Sequence, residues 1–158
     1  MEEQKPKVQN IEQVKNFWTN FTESYSTFDS FTQTFYYTLI HMLDLDKAKH
    51  ILEVACGTCR LLPMAVSLKA PETTYLATDL TQSMVDVAFK RLQKNLEKAG
   101  IKESAEELIE RNNITIKSAN GEEPIESPHK FDRIVANLVL MATEDPLKMM
   151  KNLSSMAE

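Results

Sequence analysis

The chain changes its hydrophobic rhythm several times. From residue 11 to 43, aromatic side chains recur at helical spacing: Phe17, Phe21 and Tyr25, then Phe28, Phe31 and Phe35 after a break rich in Ser, Thr and Asp. That pattern predicts two helices, about 11–25 and 30–43, with most of their rings packed on the main body. "HILEVA" (50–55) is instead a short apolar run ending at Gly57, which suits a buried strand and a turn. "CRLLPMAVSLKA" (59–70) resumes a helix, with Pro63 tolerable only near its first turn. "TTYLATD" (73–79) is β-branched and aromatic, a second strand. Thr81 can cap a long helix striped by Met84, Ala88, Leu92, Leu96 and Ala99, which stops at Gly100. Residues 103–112 read as a short polar helix, "NITIKSA" (113–119) as a third strand, and "FDRIVANLVL" (131–140) begins as a fourth. Asp145–Pro146 opens a last helix striped by Leu147, Met150 and Leu153.

Strands that alternate with helices and are apolar nearly throughout imply a parallel sheet covered by helices on both faces. The fold class is therefore α/β, with about four strands behind N-terminal helices. Residues 1–45 are expected to form a helical cap and 46–158 the α/β domain. With 158 residues the chain suffices for one domain with a sizeable core. Net charge is −5, with Lys and Arg scattered among acids, so the sequence lacks the basic face a nucleic-acid partner requires. No apolar run approaches the roughly 20 residues of a membrane helix. The opening "MEEQKPKVQN" has neither an apolar signal core nor an Arg-rich transit pattern, so a cytoplasmic or nuclear location is expected.

Chemistry concentrates in "EVACGTCRLLP" (53–63), which holds both cysteines, Cys56 and Cys59, around Gly57. Three readings compete. A strand, C-x-x-C, a basic residue and a helix suit a dithiol oxidoreductase, in which a thiol at a helix N-terminus has a depressed pKa. Ala55 stands where thioredoxin-like sites usually carry an aromatic residue, and another strand–helix unit follows. A metal site needs a second ligand pair, but no other cysteine exists and His41, His50 and His129 are isolated. The nucleotide reading uses Asp79, which ends the second strand 22 residues after Gly57. An acid about 20 residues beyond the loop can accept hydrogen bonds from ribose hydroxyls. A single glycine in place of G-x-G-x-x-G suits a nucleoside better than a pyrophosphate, and Glu53 disfavours phosphate while favouring a cation.

At this point the sequence resembles a known family. "ILEVACGTCRLLPMA" resembles the first motif of class I S-adenosylmethionine-dependent methyltransferases, usually written E/D-x-G-x-G, and "YLATDLTQSMVDVAFKR" resembles their second. "FDRIVANLVLMATEDP" is similar to their fourth strand and following helix, and "FWTNFTESYSTFD" to the aromatic entry helix of the small-molecule branch. The resemblance covers roughly residues 14 to 156 and implies a Rossmann-like sheet, S-adenosylmethionine as cofactor and a small-molecule methyl acceptor. It further implies that Glu53 orients the methionine end of the cofactor, directly or through water. Ala55, Cys56 and Gly57 would form the cofactor loop, with Ala55 and Gly57 lending backbone groups. Asp79 would hold the ribose, and Leu80 and Met84 would pack near the adenine. Asn137 and Leu138 would face the methionine moiety and the acceptor. Tyr25 would close over the cofactor or pack in the core.

Three departures accompany the resemblance. Ala55 and Cys59 replace family glycines, and Cys59 adds bulk where the backbone should approach a ligand. The acid that normally meets the adenine amino group is missing: Asn120 can offer an amide oxygen in its place, whereas Ala119 cannot. Lastly, the family sheet has seven strands and this sequence ends at "KNLSSMAE", in the helix after the fourth. Apolar "RIVANLVL" is then expected at a sheet edge, which implies a completing partner chain, a homodimer across that edge, or a truncated product of a longer gene. The expected function is methyl transfer to an unidentified small acceptor, with no general base assigned among His41, His129 and Tyr25. Two alternatives stand beside it, a non-catalytic methyltransferase-like interaction subunit and a C-x-x-C thiol oxidoreductase.

Overall fold

The architecture is given by a computed structural model, which describes residues 10–158; the opening segment read for targeting signals lies almost wholly outside them. Helices α1 (Ile11–Phe28) and α2 (Gln33–Leu43) flank a 3-10 turn at Asp29–Thr32. Then follow β1 (His50–Val54), α3 (Leu62–Leu68), β2 (Thr74–Asp79), α4 (Gln82–Lys98), α5 (Ala105–Arg111), β3 (Ile114–Ser118), β4 (Arg133–Ala136) and α6 (Pro146–Met156). The sheet is parallel throughout, in the order β3-β2-β1-β4. β1 therefore lies between two neighbours, in register from His50 opposite Thr74 to Val54 opposite Thr78. Its apolar run is explained by burial: Ile51 and Leu52 are fully enclosed, in two separate cores on opposite faces of the sheet.

Local chemistry sets the boundaries. Asn10 caps α1 in a reciprocal arrangement with Gln13, and Thr81 and Ser104 cap α4 and α5. α3 starts later than the pattern predicts, because Cys59 adopts a left-handed backbone (φ 54°) and spends the first turn of the expected helix. β4 is shorter than its apolar run. Leu138 is also left-handed (φ 55°), so the chain leaves the sheet at Asn137 and passes through a 3-10 turn at Leu140–Ala142.

Two expectations about packing need correction. In α6 the buried residues are Met149 and Leu153, while Leu147 and Met150 are mostly exposed. The helix carries apolar side chains on two faces, and the neighbouring loop chooses between them. Met149 closes over Gly121, where an added Cβ would lie 2.7 Å from Met149 Cε and 2.6 Å from Val54 Cγ1. The N-terminal rings are likewise less buried than their spacing predicts. Tyr36 is enclosed, but Phe17, Phe31, Phe35 and Tyr37 are exposed, and the Phe28 side chain lies outside the described set. The α1 rings pack mainly on one another, with Phe17 stacked on Phe21 at 5.3 Å and Trp18 edge-on to Tyr25 at 5.6 Å.

β4 is an outer strand, as expected. Beside its start the chain returns after α6: Phe131 N donates to Met156 O (2.9 Å) and Glu158 N to Phe131 O (3.1 Å), a parallel bridge. Among the described residues, no helix is long and apolar enough to cross a membrane.

Candidate functional site at the carboxyl ends of the strands

In open parallel sheets, the loops leaving the carboxyl ends of the strands frame the crevice where ligands bind. Here they frame a cavity of about 250 Å³. Ala55, Gly57, Asp79, Leu80, Met84, Asn120, Asn137 and Leu138 all line it, as does Ala119. α1 forms another wall with Ile11, Val14, Trp18 and Tyr25. The Tyr25 ring lies over Gly57, whose virtual Cβ would be 3.7 Å from Tyr25 Cε1. Burial pushes the Tyr25 phenol pKa up. Residues so distant in sequence meet because β1, β2 and β4 are adjacent and end at one level.

The loop after β1 has an alternating backbone. Ala55 (φ 56°), Gly57 (φ 53°) and Cys59 (φ 54°) are all left-handed. These are the positions at which the resembled motif carries glycine. A left-handed conformation costs an L-residue about 1–2 kcal/mol, so Ala55 and Cys59 hold the loop at a cost that glycine would avoid.

Asp79 joins that loop to β2. Its Oδ2 accepts from Gly57 N (2.9 Å), and its Oδ1 from Thr81 N (3.0 Å) and Thr81 Oγ1 (3.2 Å). Burial raises its pKa, and the hydrogen bonds from Thr81 and Gly57 oppose the rise. A carboxylate offers about four acceptor positions. The Leu80 N–H also approaches it, so a ribose hydroxyl would join or displace these donors. Asn120 turns its Oδ1 onto Glu122 N (3.0 Å). Glu122 in turn accepts from Glu144 N (2.8 Å) and Asp145 N (3.1 Å), at the start of α6.

Glu53 and Cys56 do not line this cavity. The Glu53 side chain is enclosed within the domain, with Oε2 accepting from Tyr75 Oη (2.7 Å) and Oε1 without a partner among the described residues. Burial raises its pKa to about 7 despite the opposing hydroxyls of Tyr75 and Tyr36. Cys56 lines a small adjoining pocket of about 30 Å³ with Tyr36, Thr58 and Arg60. Both cysteines are buried free thiols. The Cys56 pKa is raised by its hydrogen bond with Cys59 and by burial, and that of Cys59 is raised chiefly by burial, against the hydrogen bond from Cys56. A reactive dithiol needs the reverse, an accessible thiol with a lowered pKa. Among the described residues, no group of three metal-ligating side chains forms. His41 and His129 are exposed and lie off the cavity wall.

Sequence reading passes over the most strongly bonded group near the site. Asp29, completely buried, accepts from Arg91 Nη1 (2.7 Å) and Nη2 (3.1 Å), from Arg60 Nε (3.0 Å) and Nη2, and from Thr58 Oγ1. Burial pushes its carboxyl up, but the Arg60, Arg91 and Thr58 hydrogen bonds outweigh that and hold its pKa below the ordinary value. The one sequence signal was the Asp within the polar break between the first two helices, which reads equally well as a turn.

A family profile described as a methyltransferase domain matches residues 52–158. The chain belongs to that family. Solved structures share the fold. The [4+2]-cyclase SpnF is 12% identical at a TM-score of 0.70, over 96% of this chain and 57% of its own. A SAM-dependent methyltransferase from Aquifex aeolicus is 18% identical at 0.57, over 95% and 68%. SAM-bound CalS10, an amino pentose methyltransferase from Micromonospora echinaspora, is 11% identical at 0.54, over 80% and 47%. The methyltransferase-domain chain thus spans about half to two thirds of the length of these structures. No curated protein matches it in sequence.

Proposed function

We propose that this methyltransferase domain binds S-adenosylmethionine in the strand-end cavity and transfers its methyl group to a small-molecule acceptor. The observation that carries the reading is Asp79 on the cavity wall, at the end of β2 and hydrogen-bonded to the left-handed Gly57 of the β1 loop. The lining fits the ligand's chemistry. Among the described residues, Asp79 and Glu122 are its charged residues and no Lys, Arg or His joins them, so a cationic nucleoside is favoured over an anionic one. Asp79 would hold the ribose hydroxyls, Leu80 and Met84 the adenine face, and the Asn120 amide oxygen the adenine amino group. Ala55 and Gly57 would offer backbone groups, and Asn137 and Leu138 would border the methionine end and the acceptor. Glu53, outside the lining, would act on that end only through the field of its charge or through water, and Cys56 only through its backbone. The bound cofactor would supply an activated methyl group. The chain's own part is to orient donor and acceptor in line and to exclude water, which can contribute about 7–11 kcal/mol to lowering a barrier. Tyr25, Trp18 and Phe31 provide apolar walls for that purpose.

Calorimetric titration with S-adenosylhomocysteine tests the assignment. The wild type is expected to bind in the micromolar range, and Asp79→Ala to lose at least about tenfold in affinity, the effect of about 1.4 kcal/mol from one charge-assisted hydrogen bond. Unchanged affinity in a folded Asp79→Ala variant would show that Asp79 does not hold the ribose.

A second reading is supported by one observation: among the described residues, β4 presents an outer edge. In it the domain keeps the cavity but serves as an interaction subunit, with a second copy or a partner strand along Arg133–Ala136. Binding of S-adenosylhomocysteine without methyl transfer to any acceptor would favour that reading.

A further inference from the structure

α1 forms one wall of the cavity, yet little of it is buried. Val14 and Thr22 are its only enclosed side chains among the described residues, and Phe17 on it is exposed. Polar attachments at three points along the segment compensate. At its start, Ile11 N donates to Glu144 Oε2 (2.8 Å). Midway, the Thr22 and Ser83 hydroxyls share a hydrogen bond (2.8 Å). Just past its end is Asp29, by far the most heavily bonded of the three.

The Asp29 partners come from two separate parts of the body. Thr58 and Arg60 belong to the loop after β1, beside the Gly57 whose N–H meets Asp79. Arg91 stands on α4, bonds Thr58 as well, and reaches back to Ser26 O (3.3 Å). One carboxylate therefore ties the wall helix to both the proposed cofactor loop and the helix behind it. We propose that Asp29 is a positioning residue that latches α1 over the cavity, and that release of this latch governs entry and exit of the nucleoside ligand. The inference rests on the reading of the cavity as a nucleoside site.

The chemistry makes the latch selective in its effect. The Arg60 and Arg91 side chains are 25% and 18% exposed, so without Asp29 each can turn to water. Breaking a buried pair is costly when the surviving charge stays buried. Here the survivors need not stay buried, and the loss falls on α1, whose apolar anchorage is slight, rather than on the sheet. Local opening of this kind lies at the low-stability end of a protein's fluctuations and leaves the core intact.

Hydrogen exchange on the full chain, paired with stopped-flow dissociation of S-adenosylhomocysteine, tests the proposal on wild type, Asp29→Asn and Arg91→Met. In both variants, amides of residues 11–32 are expected to exchange at least about tenfold faster while those of 50–54 and 74–79 stay unchanged. The nucleoside should dissociate faster by a comparable factor. Exchange that rises equally in the strands would make Asp29 a general stability element and overturn the latch. So would unchanged exchange in α1, or faster α1 exchange with an unchanged dissociation rate. A wild type that binds no S-adenosylhomocysteine would refute the assignment of the cavity and, with it, the latch's ligand role, while the apo exchange pattern would still decide whether Asp29 holds α1.

Discussion

Three residues in β1 and the loop after it, Glu53, Ala55 and Gly57, show backbone conformation and charge each at a cost. Gly57 is left-handed, and the space around it would admit a methyl group at ordinary contact distance. The cost of Gly57→Ala is therefore conformational, about 1–2 kcal/mol, readable by urea denaturation. Ala55→Gly should be neutral to slightly stabilising, because relief of the left-handed penalty offsets the chain entropy of glycine, about 0.5–1 kcal/mol. A loss beyond about 1 kcal/mol in Ala55→Gly would mean that Ala55 is not strained. Glu53 carries a pH signature. Its folded pKa of about 7 lies above the ordinary carboxylate value. Between those two values the unfolded chain ionises while the folded one keeps its proton. Stability from this group is thus fully present below about pH 4.5 and lost as pH rises through 7, by roughly 3 kcal/mol in total. Glu53→Gln should accordingly gain stability relative to wild type as pH goes from 5 to 8. A stability difference that stays flat with pH would place the Glu53 pKa near its ordinary value.

Elements were legible in proportion to how local their determinants are. The strands announced themselves as apolar runs between turn residues, and Thr81 and Pro146 marked helix starts by their own chemistry. Asp79 was legible for a related reason, since it ends a strand and parallel topology brings such ends together, whereas Asn120 and Asn137 were implied by the family resemblance alone. Determinants that cross the chain were not legible. Which face of α6 is buried depends on Gly121 and Val54, and the bonds of Asp29 run to residues 29 and 62 positions away. Met149→Ala should cost about 2–5 kcal/mol as a core truncation, and Met150→Ala should stay within about 0.5 kcal/mol. Equal costs in thermal or urea unfolding would return the helix to its predicted face.

For the whole molecule, a four-stranded sheet carries a site framed by the loops at its carboxyl ends and walled by a helix that belongs to neither core. Its outer strand β4 already pairs at Phe131 with Ala157, so the open backbone is confined to Arg133–Ala136. If that edge recruits a second copy, sedimentation velocity should show a coefficient that rises with concentration; a monomer unchanged at high concentration would count against it. For the cavity, a crystal structure of the chain with S-adenosylhomocysteine is decisive. The cavity assignment places the nucleoside between α1 and the strand ends, with ribose hydroxyls on Asp79 and adenine against Leu80 and Met84. A nucleoside bound elsewhere, or a cavity that stays closed by Tyr25 and Trp18 at saturating ligand, would contradict it.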